Sequence, residues 1–393
     1  MIEGIAGRVY SMAGKCLVCG SESRLISSAL NVCVECLRSK PSEALSIAMR
    51  MHHRSRARIR LPPQPPREGG YSCRLCVNEC SPATGGRSYC GLWTKSGSRL
   101  QPRQGTGYVA VYTYLDPHPT NCVAAHLCPA TTNRGYPRYT HTEGVEWGYS
   151  NLAVFAYGCT LDCLFCQNYE HKTSMATDSW RIHTRRLEDL VFEAMDDRVT
   201  CVCYFGGDPT PQMPWILRAS RLMLEYSRKR GVVKRICWET NGLQAPGVMR
   251  EMARLSLESG GIVKIDWKAW TPSVYQALTG VDGVKAVERL RTNARLVTSM
   301  ARDRPEIPLL VVSILLVPGY VDLEEVSGIA GYLSTLDPPP PVVLLAFHPD
   351  YLMNDLPPTS RQHMEEAVRI VRKSGIREVY KGNVWLLGDY YGV

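Results

Sequence analysis

The chain has 393 residues, 45% of them apolar and 21% charged, with a formal net charge of +9. That is enough for one large domain with one or two small ones. Sixteen cysteines in so long a chain, whose start Met1-Ile2-Glu3-Gly4 has no apolar leader, exclude a small secreted disulfide scaffold and point to metal binding. The longest apolar run, Ile307 to Val317, is interrupted by Pro308 and too short to span a bilayer. The expectation is a soluble, cytoplasmic protein with no membrane partner.

The charge is uneven. Residues 1–70 hold 11 basic and 5 acidic side chains, residues 71–150 hold 7 and 4, and residues 151–393 hold 28 of each. The whole surplus therefore rides on the front third. It suits an acidic partner such as RNA, or it is a solvated basic tail.

Residues 1–60 read as a zinc-ribbon-like domain with a basic tail. Two Cys-x2-Cys hooks, Cys16/Cys19 and Cys33/Cys36, each put two sulfurs on a tight turn and together close a tetrahedron. Zinc is the expected ion, with a closed iron site as the rival. So small a segment needs the metal to fold. Residues 42–60 begin as a helix and turn basic at Arg50, Arg54, Arg56, Arg58 and Arg60, with His52 and His53. Residues 61–70, rich in proline and then glycine, read as a linker and a domain boundary.

Residues 71–150 read as a Cys-rich metal-binding segment. Cys73, Cys76, Cys80 and Cys90 can close another site, and their spacing does not decide between zinc and an iron–sulfur cluster. Zinc would be structural, whereas a cluster could relay electrons. Residues 101–150 read as irregular. Cys122, His126 and Cys128 there match no defensible ligand pattern, and loop cysteines are the favoured reading.

From residue 151 short apolar runs alternate with helical stretches. Strands are expected at 152–157, 200–206, 234–239, 261–267, 308–317 and 341–347, with a final one in 376–387. Helices are expected at 185–196, 214–230, 247–259, 283–301, 322–336 and 360–374. Near-continuously apolar strands fit a parallel sheet covered by helices, and six such units suggest an open, TIM-like (β/α)6 barrel in an α/β protein.

Directly after the first of these strands comes Cys159-Thr160-Leu161-Asp162-Cys163-Leu164-Phe165-Cys166. Gly158 frees the backbone to turn, so the cysteines lie on a loop at a strand's carboxyl end. Three thiolates are odd for disulfides. They suit a cubane iron–sulfur cluster with one iron left open for catalysis. Packed core cysteines, or three of four zinc ligands, are the bland alternatives.

This Cys-x3-Cys-x2-Cys string resembles the signature of the radical S-adenosylmethionine (SAM) superfamily. The longer run from Tyr157-Gly158 to Gln167-Asn168-Tyr169-Glu170 looks like the pyruvate formate-lyase activating enzyme branch, and within it the AmmeMemoRadiSam-system enzymes. The resemblance covers about residues 71–393. It implies a 4Fe–4S cluster on Cys159, Cys163 and Cys166, a partial (β/α)6 barrel, SAM as cofactor, and a ferredoxin- or flavodoxin-type electron donor. It also implies that a cysteine-rich block before the barrel belongs to the architecture.

Further strings fall at later strand ends. The resemblance implies that the backbone of Gly206-Gly207-Asp208 receives the SAM amino group, with Asp208 where Glu is commoner. Glu239 and Asn241 could bind the ribose or methionine end of SAM. Period-two alternation puts Lys264, Asp266 and Lys268 on one face. In the relatives an Asp and a Lys there contact SAM, which marks Asp266 and Lys268; a structural rim pair is the alternative. His348 matches a SAM-contacting His, and Phe165 a position beside the adenine. Cys201, Cys203 and Cys237 read as core, although a mouth-facing one could donate hydrogen.

The function expected is reductive cleavage of SAM to a 5′-deoxyadenosyl radical that takes hydrogen from a peptide or protein. RNA modification through the basic front domain is the alternative. A non-enzymatic electron carrier is disfavoured by the strings at the strand ends.

Overall fold

The computed structural model describes residues 13–393; the start Met1-Ile2-Glu3-Gly4, on which the expectation about a leader rests, lies outside them. The short hairpin β1 (Gly14–Lys15) and β2 (Glu22–Ser23) precedes α1 (Val34–Ser39) and α2 (Pro41–Arg58). A second hairpin, β3 (Trp93–Ser96) and β4 (Arg99–Pro102), leads into β5 (Tyr108–Pro117) and β6 (Ser150–Ala156). Then come α3 (Glu170–Thr173), β7 (Thr184–Arg186), α4 (Leu187–Ala194), β8 (Val199–Gly206), α5 (Met213–Arg230), β9 (Arg235–Thr240) and α6 (Pro246–Ser259). The chain ends with β10 (Val263–Asp266), α7 (Pro272–Thr279), α8 (Gly283–Ala301), β11 (Leu310–Leu316), α9 (Leu323–Leu333), β12 (Val342–Ala346), α10 (Arg361–Lys373) and β13 (Val379–Gly382).

One nine-stranded sheet runs in the order β13-β12-β11-β10-β9-β8-β6-β5-β7. Strands β6 and β8 to β13 are parallel. β5 runs antiparallel to both β6 and β7. The parallel strands show why their runs are apolar: β6, β8 and β9 are buried along most of their length. Helices supply one cover. In α10 the buried residues His363, Met364, Ala367, Val368 and Val371 lie at helical spacing on one face. The sheet curls, since inward side chains of β6, β8, β9, β10, β11, β12 and β13 all line one cavity of about 660 Å³. The result is a partial barrel.

Three expectations change. Residues 101–150 are not irregular throughout: β5 is a ten-residue strand whose alternately exposed tyrosines hide it from an apolar-run search. The final strand stops at Gly382, and Val384–Leu386 form a 3-10 turn instead. Residues 272–279, which carried no helical expectation, form α7.

The front segment packs on the parallel-sheet layer. Arg38 donates to Asp322 at 2.8 and 2.6 Å and to Glu325 at 3.0 Å. Ser27 and Ser28 hydroxyls donate to Asp355, and the Tyr320 hydroxyl donates to the Val32 carbonyl at 3.0 Å. The basic tail is the second half of α2. Two of its basic residues, His52 and Arg56, are buried, while Arg50, Arg54 and Arg58 are exposed.

Candidate active site

Cys159, Cys163 and Cys166 lie on the loop after β6 and line the cavity together. Gly158 turns the chain at φ +83°, a backbone conformation that favours glycine, and a Cβ there would press on Leu92 Cδ1 at 2.8 Å. The loop is braced on several sides. The Leu161 N–H donates to Cys159 Sγ at 3.4 Å, and Asn241 Nδ2 reaches Cys159 Sγ at 3.7 Å and Thr160 Oγ1 at 2.8 Å. The Leu164 carbonyl accepts from the N–H groups of Leu352 and Met353.

Asp162, between two of the cysteines, is fully buried. It pairs with Lys172 Nζ at 2.8 Å, with His52 Nδ1 at 2.9 Å and with Ser55 Oγ at 3.2 Å. Arg56 lies at 3.7 Å. Burial would raise the Asp162 carboxyl, but Lys172, His52 and Arg56 hold it well below the usual carboxylate range. Lys172 also donates to the Cys163 carbonyl at 3.0 Å. Helix α2 thus reaches 110 positions along the sequence to grip the cysteine loop, a contact that no local pattern could reveal.

Burial raises all three loop thiols, Cys163 to about 12, while the Lys268 charge pulls Cys163 and Cys166 the other way. A metal that binds them must displace protons. Cys166 Sγ lies 3.6 Å from His171 Nε2, and burial holds His171 neutral, down to about 3. Three thiols with cations beside them, on a loop facing an open cavity, fit an iron–sulfur cluster held at three corners.

The glycine pair sits opposite. Gly206 has φ +104°, and a Cβ on Gly207 would come within 2.3 Å of the Gly158 carbonyl oxygen. Both glycines line the cavity, but Asp208 does not. It turns inward, accepting from Thr210 N, Thr240 Oγ1 and Asn241 N, each at 2.8 Å. Its carboxylate is a staple between the β8 and β9 ends, which leaves the backbone of the glycine pair facing the cavity.

The remaining expected residues all line the cavity: Phe165, Glu239, Asn241, Asp266, Lys268 and His348. Lys264 lies 3.1 Å from both Glu239 and Asp266, and Lys268 lies 3.5 Å from Asp266. Burial opposes the Asp266 charge, yet the two lysines keep its carboxyl well below the ordinary range. His348 Nδ1 lies 2.9 Å from Asp350 Oδ2. Asn168, whose Nδ2 donates to the Gly206 carbonyl at 3.2 Å, Asn151, Ser313 and the exposed Trp385 also line the space. Asn168 lies in the run that carries the family resemblance, whereas Asn151, Ser313 and Trp385 carry no signal beyond following a strand or lying within one.

At the far end, residues 118–149 plug the sheet. Ala124, Leu127 and Tyr139 pack on Ile262, Ile307, Val311 and Val343. The plug is locked by buried Glu146, whose carboxylate accepts from Arg235 Nη1 at 3.0 Å, Thr200 Oγ1 at 2.7 Å and Thr140 Oγ1 at 2.8 Å. Arg235 outweighs burial and holds the Glu146 carboxyl down to about 2. Cys122 reaches Glu239 Oε1 at 3.8 Å, and Cys201 and Cys237 touch at 3.6 Å.

Among the described residues, Cys16, Cys19, Cys33 and Cys36 are the group whose ligand atoms all lie within 4.8 Å of one another. That compactness suits a single tetrahedral ion, as in a zinc ribbon.

Residues 153–328 match the family model described as the radical SAM superfamily. The chain carries a radical SAM domain. The match covers less than half of the chain, and the superfamily it names is one of enzymes that use a 4Fe–4S cluster and SAM. Among solved structures, a domain of pyruvate-formate lyase-activating enzyme from Bacteroides vulgatus is 19% identical at TM-score 0.34, over 46% of this chain and 98% of that one. Streptococcus suis SuiB bound to precursor peptide SuiA is 12% identical at TM-score 0.39, over 58% of this chain and 46% of that one. The enzyme anSMEcpe with bound AdoMet and Cp18Cys peptide is 15% identical at TM-score 0.31, over 47% of each chain. The chain spans about half the length of the last two. No curated protein sequence matches it. Among the described residues, no helix is long and apolar enough to cross a membrane.

Proposed function

We propose that the radical SAM domain cleaves SAM reductively and directs the resulting radical at a peptide or protein substrate. When bound, the 4Fe–4S cluster supplies one electron to the sulfonium of SAM, releasing methionine and a 5′-deoxyadenosyl radical. The chain's own residues hold and orient. Cys159, Cys163 and Cys166 are the cluster ligands. The Gly206–Gly207 turn offers open backbone where a side chain would collide with the cysteine loop. Asn241, Glu239, Asp266 and Lys268 ring the same space as polar contacts for SAM, His348 stands at its edge, and Phe165 gives the adenine an apolar wall. Asp208 positions this ring rather than touching the ligand.

The observation that carries this reading is the convergence of three separate strand ends on one cavity. The cysteine loop, the glycine pair and the Lys264–Asp266–Lys268 row all face it. For a peptide substrate, the support is the shape of the mouth. Edge strand β13 supplies Lys381 and Gly382 to the wall, and exposed Trp385 lies beside them. An extended chain can lie along such an edge. RNA is not carried forward, because His52 and Arg56 of the basic tail are buried against Asp162 rather than offered to a phosphate backbone.

In the same reading residues 1–60 are a zinc ribbon with its helix on Cys16, Cys19, Cys33 and Cys36. Residues 61–70 are a linker, 71–150 a second metal-binding segment, and 151–393 the barrel. The test is anaerobic reconstitution with iron, sulfide, dithionite and SAM. Release of 5′-deoxyadenosine is expected, and its absence from iron-loaded protein would overturn the assignment.

A further inference from the structure

Cys73, Cys76, Cys80 and Cys90 form a second four-cysteine set, and its geometry differs from that of the ribbon. We infer that these four cysteines hold an iron–sulfur cluster rather than a zinc ion, and that it passes electrons to the catalytic centre; the second half rests on Cys159, Cys163 and Cys166 holding that centre.

Spacing is the first ground. One zinc ion takes four sulfurs at about 2.3 Å, which puts them about 3.8 Å from each other. The ribbon cysteines gather within 4.8 Å, as a single ion needs. Among the described residues, no three of Cys73, Cys76, Cys80 and Cys90 gather so closely, and neither do the three loop cysteines. A polynuclear centre spreads its thiolates over separate irons. The second set therefore shares the wider spacing of the catalytic loop.

The four still face one another. The Cys73 N–H donates to the Cys80 carbonyl at 2.8 Å, and the Tyr89 N–H, one residue before Cys90, reaches the Cys80 sulfur. Two sulfurs carry hydrogen-bond partners of the kind that tune cluster potentials: the Tyr89 N–H donates to Cys80 Sγ at 3.4 Å, and Ser88 Oγ lies 3.1 Å from Cys90 Sγ.

Position is the second ground. Asn78 Nδ2, two residues after Cys76, donates to the Thr160 carbonyl at 2.6 Å, and Thr160 follows Cys159. The Cys90 carbonyl lies 3.3 Å from where a Cβ on Gly158 would stand. The Val77 N–H donates to the Leu243 carbonyl at 3.0 Å, tying the segment to the turn whose Asn241 touches Cys159 Sγ. Three short paths thus run from this set to the first catalytic cysteine. Cys73, Cys76 and Cys90 are half-buried rather than sealed, so a donor can approach. A ferredoxin- or flavodoxin-class protein would lose one electron, the outer cluster would take it and hand it on, and no bond would form or break.

The test uses the full chain, reconstituted anaerobically, with iron, sulfide and zinc counted and electron paramagnetic resonance recorded after reduction. The parent should hold about eight irons and one zinc. The C159A/C163A/C166A variant should keep half of that iron and a reduced-cluster signal, while C76S/C80S should lose the other half and its ability to take electrons from reduced ferredoxin. If C159A/C163A/C166A keeps zinc but no iron, while the parent holds four irons, the second cluster is overturned and the catalytic reading stands. If the parent loses no iron in C159A/C163A/C166A, the catalytic reading falls instead. The C159A/C163A/C166A protein leaves the second set intact, so the result does not depend on C76S/C80S folding.

Discussion

The two ends of the barrel cavity are both rich in cysteine, yet they are built for opposite purposes. At the mouth, Cys159, Cys163 and Cys166 sit on a turning loop beside Lys172 and Lys268, with open space in front. At the floor, Cys201, Cys203 and Cys237 pack on one another from neighbouring strands, and Arg235 beside them is engaged by Glu146. The cations are paired at both ends, Lys172 with Asp162, Lys268 with Asp266 and Arg235 with Glu146, so what differs is access: the loop thiols face open space, whereas the floor thiols pack as small apolar groups. Neither residue type nor a neighbouring cation separates these ends; access does.

Four substitutions probe that contrast. Cys163→Ala should abolish 5′-deoxyadenosine release and remove the catalytic iron; activity equal to the parent's would erase the distinction. Next in size, Asp162→Ala leaves Lys172 and Arg56 buried without their carboxylate. A loss of about 3–5 kcal/mol is expected in denaturant unfolding, with faster iron loss to a chelator. A variant as stable as the parent would show that α2 does not grip the loop.

At the floor, Glu146→Gln should cost about 3 kcal/mol at neutral pH and leave the cluster's resonance spectrum unchanged. The Glu146 carboxyl lies near 2 in the fold against 4.5 ordinarily. Its contribution is therefore complete above about pH 4.5 and fades as pH falls towards 2. Unfolding curves of parent and variant should converge over that window, and a constant gap would refute the pairing. Smallest is Cys201→Ala, expected to cost about 1 kcal/mol with iron content unaltered. Loss of iron there would mean that the floor binds metal after all.

Much of the mouth was legible because a parallel strand announces itself as an apolar run, and the residues after it must then face the cavity. Phe205-Gly206-Gly207 and Lys264-Ile265-Asp266-Trp267-Lys268 are of this kind. The Asp208 carboxylate's role was not legible, because a strand-end position does not say whether a carboxylate turns outward or staples two loops. Strand β5 escaped because it is antiparallel, half exposed and marked by tyrosines rather than by a continuous apolar run. The α2 grip on Asp162 escaped for a different reason. The helical pattern was visible, but the partner of His52 and Arg56 lies in a distant loop, and charge tallies count such residues as surface.

The plug has a kinetic corollary. Among the described residues, 118–149 pack into one end of the sheet and are locked there by Glu146, which leaves the side of the cysteine loop as the way in. A nucleotide seated against that loop must enter before a bulky second reactant, and cannot depart until that reactant has gone. Steady-state inhibition patterns of compulsory order, with SAM leading, are the trace such a queue would leave, and random-order patterns would show a second entrance.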